Sequence, residues 1–343
     1  MLGRGLLVSA SVLLLAAQPV AAESVEDFYK GKTITVVTWQ GPGSSYDAYA
    51  RLIGRHFGKY IPGHPQFRVQ LMGGGGGIVA ANHLAKIAPK DGTMLFMVGP
   101  GLVIEQALSL NKSMIADLRE FGWLGILSAS NQVLVTWHTS PTQSLEDAMK
   151  RETTVGATGV GSVSYQLPSF YNNVLGTKFK IVAGYAQSTQ IEVAMERGEL
   201  EGRGTNPWAT YKALRPNYVS EKLIKPLIQV GLRKEKDLPD VPLMLDLGKT
   251  EADREAIRFI SRSVALGRPV STTPGVPPER LAALQLAFDK AVVDPQLVAE
   301  ANKQKLELEP RPGKELKKLV EDLINSPQPV RDRVKTAILP PKK

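Results

Sequence analysis

The sequence predicts an α/β protein of two lobes, and three observations predict it. Short apolar strands alternate with amphipathic helices through residues 33–99, as in βαβ units around a largely parallel sheet. The chain of 343 residues exceeds what one hydrophobic core usually serves. A second series of strands and helices, bounded near residues 126 and 235, implies two crossings between lobes, hence a hinge and a cleft that suits a ligand. The division is then 23–126 with 236–343 for one lobe and 127–235 for the other.

The elements follow in order. Arg4 precedes an apolar stretch from Leu6 through Ala17, and Val20-Ala21-Ala22 offers the small residues that a signal peptidase requires. Residues 1–22 therefore read as a signal peptide cleaved after Ala22, which makes the protein exported and periplasmic. The apolar run is shorter than the roughly 20 residues of a bilayer span. "TITVVTW" (33–39) is the first strand, and a helix begins at Ser44 or Ser45 with Tyr49, Ile53, Phe57 and Tyr60 on one face. The prolines and glycine of "IPGHP" (61–65) stop it. "FRVQLM" (67–72) is a second strand, five glycines (73–77) open a second helix, and "TMLFMVG" (93–99) is a third, apolar strand.

Beyond "FGWLGIL" the chain moves to the second lobe. "NQVLVTW" (131–137) is a strand, "SLEDAMKRE" (144–152) a helix with a Ser-x-x-Asp cap, and "TTVGATG" another strand. "SYQLPSFYNNVLG" reads as a helix interrupted by Pro168, "QSTQIEVAMERGEL" as a helix, and "KPLIQVGLRK" (225–234) as the returning strand. Proline-punctuated "DLPDVPLM" (237–244) marks the second crossing. Two further helices carry apolar stripes, Leu281, Leu284, Phe288 and Val292 on one, and Leu316, Leu319, Val320, Leu323 and Ile324 on the other.

Composition removes several function classes. With no cysteine there are no disulfides, thiolate metal sites or cysteine nucleophiles. The net charge of +9, or +8 without the signal's Arg4, suits anionic partners, yet the basic residues are scattered among 33 acidic ones, so no nucleic-acid partner is expected. No Gly-x-x-x-x-Gly-Lys-Ser/Thr loop is present, "GPGSSY" has tyrosine where a dinucleotide fingerprint has its third glycine, and no Gly-x-Ser-x-Gly elbow occurs. His56, His64, His83 and His138 include no i, i+4 pair. His56 and His83 read as residues of solvated helix faces, His64 and His138 as loop residues, and neither a metal nor a cofactor is expected.

An anion site without a lysine must come from backbone N–H groups, hydroxyls and helix dipoles. The "GPGSSYD" turn supplies all three: Gly41 and Gly43 let the backbone approach a ligand, and Ser44 and Ser45 add hydroxyls. Gly75, Gly76 and Gly77 precede a second helix terminus. Ser44 and Asp47 also fit a capping box that needs no ligand. Hydrogen bonds to a charged acceptor such as a carboxylate are the stronger kind, about 1.5–3 kcal/mol each.

At these residues a resemblance enters. "FYKGKTITVVTWQGPGSSYDAYARLIGRHFGKYIPGHP", "VQLMGGGGGIVAANHLAKIAPKDGTMLF" and "LPDVPLM" resemble the extracytoplasmic solute receptors of tripartite tricarboxylate transporters, the TctC-like or Bug proteins, over residues 26 to about 338. The resemblance implies a two-lobed type 2 periplasmic-binding-protein fold, each lobe a mixed sheet flanked by helices. It implies a monomer without enzymatic activity that closes on a small mono- or dicarboxylate and delivers it to membrane permease subunits. By position, the carboxylate-holding turn runs from Trp39 and Gln40 to Asp47, the second turn is 73–77, and a third loop is 99–101. The other lobe offers Gly161, Ser162 and Ser164, then Tyr185, and last Thr205, Asn206 and Trp208.

Departures from the family pattern bear on specificity. Gly43-Ser44-Ser45 replaces a glycine triplet, Gln187 stands where glycine is common, and Arg203 precedes the "GTNPW" loop. Arg203 reads either as a clamp for a second carboxylate or as an exposed turn residue. Trp39 and Trp208 read either as a sandwich for the ligand or as hinge packing. Two other functions stay open: a receptor presenting a carboxylate to a sensor kinase, and an exported enzyme on a related fold, for which Asp47 is the only acidic residue placed at the turn.

Overall fold

The computed structural model describes residues 23–339; the expected signal peptide lies outside them. Two mixed sheets organise the chain. The first contains β1 (Thr33–Thr38), β2 (Gln66–Leu71), β3 (Met94–Met97), β4 (Gly122–Ile126), β10 (Pro269–Thr272) and β11 (Arg311–Pro312), and the second contains β5 (Gln132–Trp137), β6 (Thr153–Ala157), β7 (Phe179–Ala183), β8 (Gly202–Pro207) and β9 (Ile224–Val230). Their orders are β11-β4-β10-β3-β1-β2 and β7-β6-β8-β5-β9.

The parallel reading of the first hundred residues holds for β2-β1-β3, where Val36 stands opposite Val69 and Leu95. β10 then returns antiparallel between β3 and β4, so the sheet as a whole is mixed. The second sheet repeats the plan, with β6 parallel to β7 and β8, and β5 antiparallel to β8 and β9. Burial follows the apolar stripes: Leu284, Phe288, Leu316 and Val320 are fully buried. The last helix, Gln328–Ile338, touches elements beside both sheets, since Arg333 pairs with Asp253 and Asn173 donates to the carbonyl of Ala337.

Two sequence expectations need correction. The helix Val163–Leu175 runs through Pro168 without a break. The proline ring packs on β8 at Gly204, where a Cβ would stand 2.5 Å from Pro168 Cγ, so tertiary packing offsets the lost helical bond. His56 is not on a solvated face: the helix Pro295–Lys303 covers it, and its Nε2 lies 2.6 Å from a Glu300 carboxylate oxygen.

The two crossings are tied to each other. Asn131 Nδ2 donates to Gln229 and to the carbonyl of Arg233, while Glu235 accepts from the Asn131 N–H. Beside them the Arg268 N–H donates to the Ser128 carbonyl, and the Leu127 N–H to that of Arg268. Gly267 makes this possible: its φ is +59°, and a Cβ there would lie 1.8 Å from the Ser128 oxygen. Gly267→Ala is expected to cost more than about 2 kcal/mol, combining left-handed strain with the clash. Chemical denaturation monitored by circular dichroism checks this, and a loss below about 0.5 kcal/mol would contradict it.

Candidate functional site

Parallel strands place their following turns at one edge of each sheet, where α/β proteins bind ligands. The turns after β1, β2 and β3 here face the loop after β6 and the end of β8. Trp39, Gln40, Ser45, Gly76 and Arg268 line the cavity between them from the first sheet's side. Gln132, Ser162, Ser164, Thr205 and Asn206 line it from the second. The free space between them is about 40 Å3, and it opens toward solvent.

Glycine backbone forms much of the contact between the two sides. A Cβ on Gly76 would fall 2.6 Å from the Gly161 carbonyl carbon, and one on Gly101 would fall 2.5 Å from the Gly161 oxygen. Side-chain ties across the cleft are few and polar: Ser188 Oγ donates to Gln40 Oε1 at 3.1 Å, and Gln166 Nε2 to Glu105 Oε1 at 3.2 Å.

The helix Ser45–His56 begins at the cavity. Its cap is Ser44, whose Oγ accepts from the Asp47 N–H at 3.2 Å. The backbone N–H groups of Ser45 and Tyr46 have no intrahelical acceptor. Arg268 comes to the same place from just before β10. Its Nη2 donates to Ser45 Oγ at 2.7 Å, its Nη1 to the Gly267 carbonyl, and its guanidinium lies 4.3 Å from the Tyr46 ring centroid. Arg268 is 4% exposed, and no carboxylate pairs with it among the described residues. Burial pushes the Tyr46 phenol above its ordinary range, with Arg268 opposing, so it stays neutral at physiological pH.

Four buried side-chain N–H groups lack an acceptor among the described residues, on Trp39, Asn206, Arg268 and Arg331, and the first three residues line this cavity. Buried donors are ordinarily satisfied. Three of the unsatisfied ones belong to residues around one space. The hydroxyls opposite are already ordered among themselves, Thr158 donating to Ser162 at 2.9 Å and Ser162 lying 2.7 Å from Ser164.

The expected site residues divide accordingly. Trp39, Gln40, Ser45, Gly76, Gly161, Ser162, Ser164, Thr205 and Asn206 meet at the cavity. Ser44 and Asp47 do not reach it, because Ser44 caps the helix and the Asp47 carboxylate takes Arg51 Nε at 3.0 Å. Gly77 packs against the Trp39 ring and Leu102, and Gly43 faces Thr189. Gly41, Gly75 and Tyr185 line a wider outer groove of about 490 Å3 that shares Trp39 and Gly76 with the cavity. Trp208 is buried beside Tyr211 and donates to Asp237 at 2.8 Å, so it makes no sandwich with Trp39. Arg203 is not an exposed turn residue: it sits in β8, 3% exposed, paired with Glu192 at 2.8 Å. The sequence reading missed Arg268, which stands in "LGRPV" with no motif around it and 223 residues from Ser45.

No family model matches this chain, and no curated protein does. Solved structures do. The periplasmic binding protein BugD is similar with a TM-score of 0.71 at 15% identity, over 90% of this chain and 98% of that one. MatC from Rhodopseudomonas palustris with bound malate gives 0.70 at 20% identity, over 88% and 99%. A TctC solute-binding protein from Polaromonas, without ligand, gives 0.59 at 18% identity, over 90% and 99%. The fold is therefore the two-lobed one of periplasmic binding proteins, as the sequence resemblance implied.

Behind the cavity, Glu105 joins the two sides through Gln166. It is buried, its Oε2 has no partner, and Gln166 Oε1 has none either. Burial pushes the Glu105 carboxyl up to about 7, against the opposing bond from Gln166. The folded state therefore holds a proton that the unfolded chain releases near pH 4.5, and stability from this group is lost as pH rises from about 4.5 to about 7. In Glu105→Gln that part of the pH dependence is expected to vanish, with the variant the more stable protein at pH 8. Denaturation midpoints between pH 4.5 and 8 test it; an unchanged profile would contradict the assignment.

Proposed function

We propose that this chain is an exported, non-enzymatic receptor that closes around a small organic carboxylate and delivers it to the permease subunits of a tripartite tricarboxylate-type transporter. The observation that carries the reading is a buried arginine, Arg268, that lines the cavity without a carboxylate partner among the described residues, beside a helix N-terminus. A carboxylate brings several strong acceptor sites and the missing negative charge. The likeness in fold to MatC, solved with malate, supports the same class of ligand.

In this reading Trp39, Gln40, Ser45, Gly76 and Arg268 bind from one lobe, residues 23–126 with 236–343, and Gly161, Ser162, Ser164, Thr205 and Asn206 from the other, residues 127–235. Ligand contacts on both lobes favour the closed state, and closure proceeds as far as that preference allows. Micromolar affinity corresponds to about 8 kcal/mol, within reach of several charge-assisted bonds at about 1.5–3 kcal/mol each after ordering costs. The signal peptide, cleaved after Ala22, would take a monomeric receptor to the periplasm. Among the described residues the cavity lining holds no Asp, Glu, His or Lys to act as a general acid or base, which favours binding over catalysis.

A thermal-shift screen of residues 23–343 against carboxylates, amino acids and nucleotides tests the proposal. A true ligand at about a hundred times its Kd adds roughly 2.7 kcal/mol, so carboxylates alone are expected to raise the midpoint; a response to nucleotides alone would overturn the reading. Gly101→Ala separates closure from folding. Its methyl group would meet the Gly161 carbonyl at 2.5 Å and wedge the lobes apart, while alanine suits the helix Pro100–Leu108. Affinity is expected to fall at least tenfold with the ligand-free melting temperature preserved, as calorimetric titration would measure.

A further inference from the structure

We infer that the ligand carries an apolar chain or ring beyond its carboxylate, and that this tail lies in the outer groove lined by Leu71 and Tyr185; the inference rests on the carboxylate-receptor reading. The cavity at Arg268 is not a closed end. Trp39, Gly76 and Thr158 line both it and the groove of about 490 Å3, so the two spaces meet at those three residues. A ligand whose carboxylate sits beside Arg268 and the start of the helix Ser45–His56 has room to run on past Gly76 into the groove.

The groove differs from the cavity in chemistry. Two arginines line the cavity, whereas among the described residues no Asp, Glu, Lys, Arg or His lines the groove. Its largest side chains are Trp39, Leu71 and Tyr185, with glycine backbone between them. Leu71 ends the edge strand β2 and is 50% exposed, while Tyr185 comes from the other lobe, just before the helix Ser188–Glu196. An apolar tail in this position covers Leu71 and touches both lobes. Gln187 closes one side, for a Cβ on Gly41 would fall 2.5 Å from its Nε2. Ligand sites are ordinarily lined by apolar groups, with a few polar ones to fix orientation. Here the cavity supplies the polar part and the groove the apolar part. Each methylene taken out of water is worth roughly fourfold in affinity.

Calorimetric titration of the mature protein with butyrate, hexanoate, octanoate and succinate tests this. Affinity is expected to rise along the three monocarboxylates, with octanoate binding at least tenfold more tightly than butyrate. In Leu71→Ser, which alters a half-exposed strand end and not the core, that ratio is expected to fall at least threefold. In Arg268→Gln octanoate binding is expected to be lost, because the tail alone does not hold the ligand; octanoate bound as before would mark an adventitious apolar contact and overturn the inference. Equal affinities along the series, or binding of succinate alone, would overturn the tail and leave the receptor reading intact. Silence from all four ligands, with the fold verified by circular dichroism, would overturn both.

Discussion

Two positive centres meet at one buried spot, and the rest of the site is arranged around that conflict. The Arg268 guanidinium and the N-terminus of the helix Ser45–His56 converge on Ser45. A helix end carries about half a charge, and removing an unpaired ion from water costs several kcal/mol. The protein offsets part of this with the Ser45 hydroxyl, the Gly267 carbonyl and the face of Tyr46. None of the three is an anion. An anion between the guanidinium and the helix end would turn the repulsion into two attractions.

That gain adds to the apolar packing behind the cleft, where Leu102 and Ile104 share one buried cluster with Leu167 and Phe170. Across the cavity the contacts are glycine backbone and two polar side-chain pairs, Gln40 with Ser188 and Glu105 with Gln166. Around the crossings the ties are more numerous and partly ionic: Asn131 binds Gln229 and Arg233, and Lys212 pairs with Glu307 at 2.5 Å. The close approach of Gly76 and Gly101 to Gly161 narrows the space between the two sides.

Much of this was legible in the sequence, and what was not has a physical reason. The strand-turn-helix at 33–56 was legible because its signals are local: a β-branched run, glycines, and a serine three residues before Asp47. The pentaglycine was legible as a special turn, but its purpose was not. One of its glycines, Gly76, admits the backbone of Gly161 and Ser162 from the opposite lobe, and a partner surface leaves no trace in the segment that meets it. The alternatives left open for Arg203 and Trp208 could not be separated for the same reason. Whether an arginine is exposed or paired depends on Glu192, which is local in space but sits on a different element. Arg268 had no local signal at all, since its role arises where β10 returns between β3 and β4.

Arg268 also accounts for a departure that the sequence shows without explaining. Where the resembled receptors carry a third glycine in the first turn, this chain has Ser45. A glycine there leaves Nη2 of a buried guanidinium without the acceptor it now has at 2.7 Å, and one more orphaned donor on a charged group costs about 1–3 kcal/mol. The serine hydroxyl removes that cost without adding a negative charge. An aspartate would satisfy the guanidinium completely and, by the same act, leave it no charge for an anion. The pairing of an uncharged hydroxyl with an unpaired arginine thus leaves the guanidinium hydrogen-bonded but without a counter-ion among the described residues.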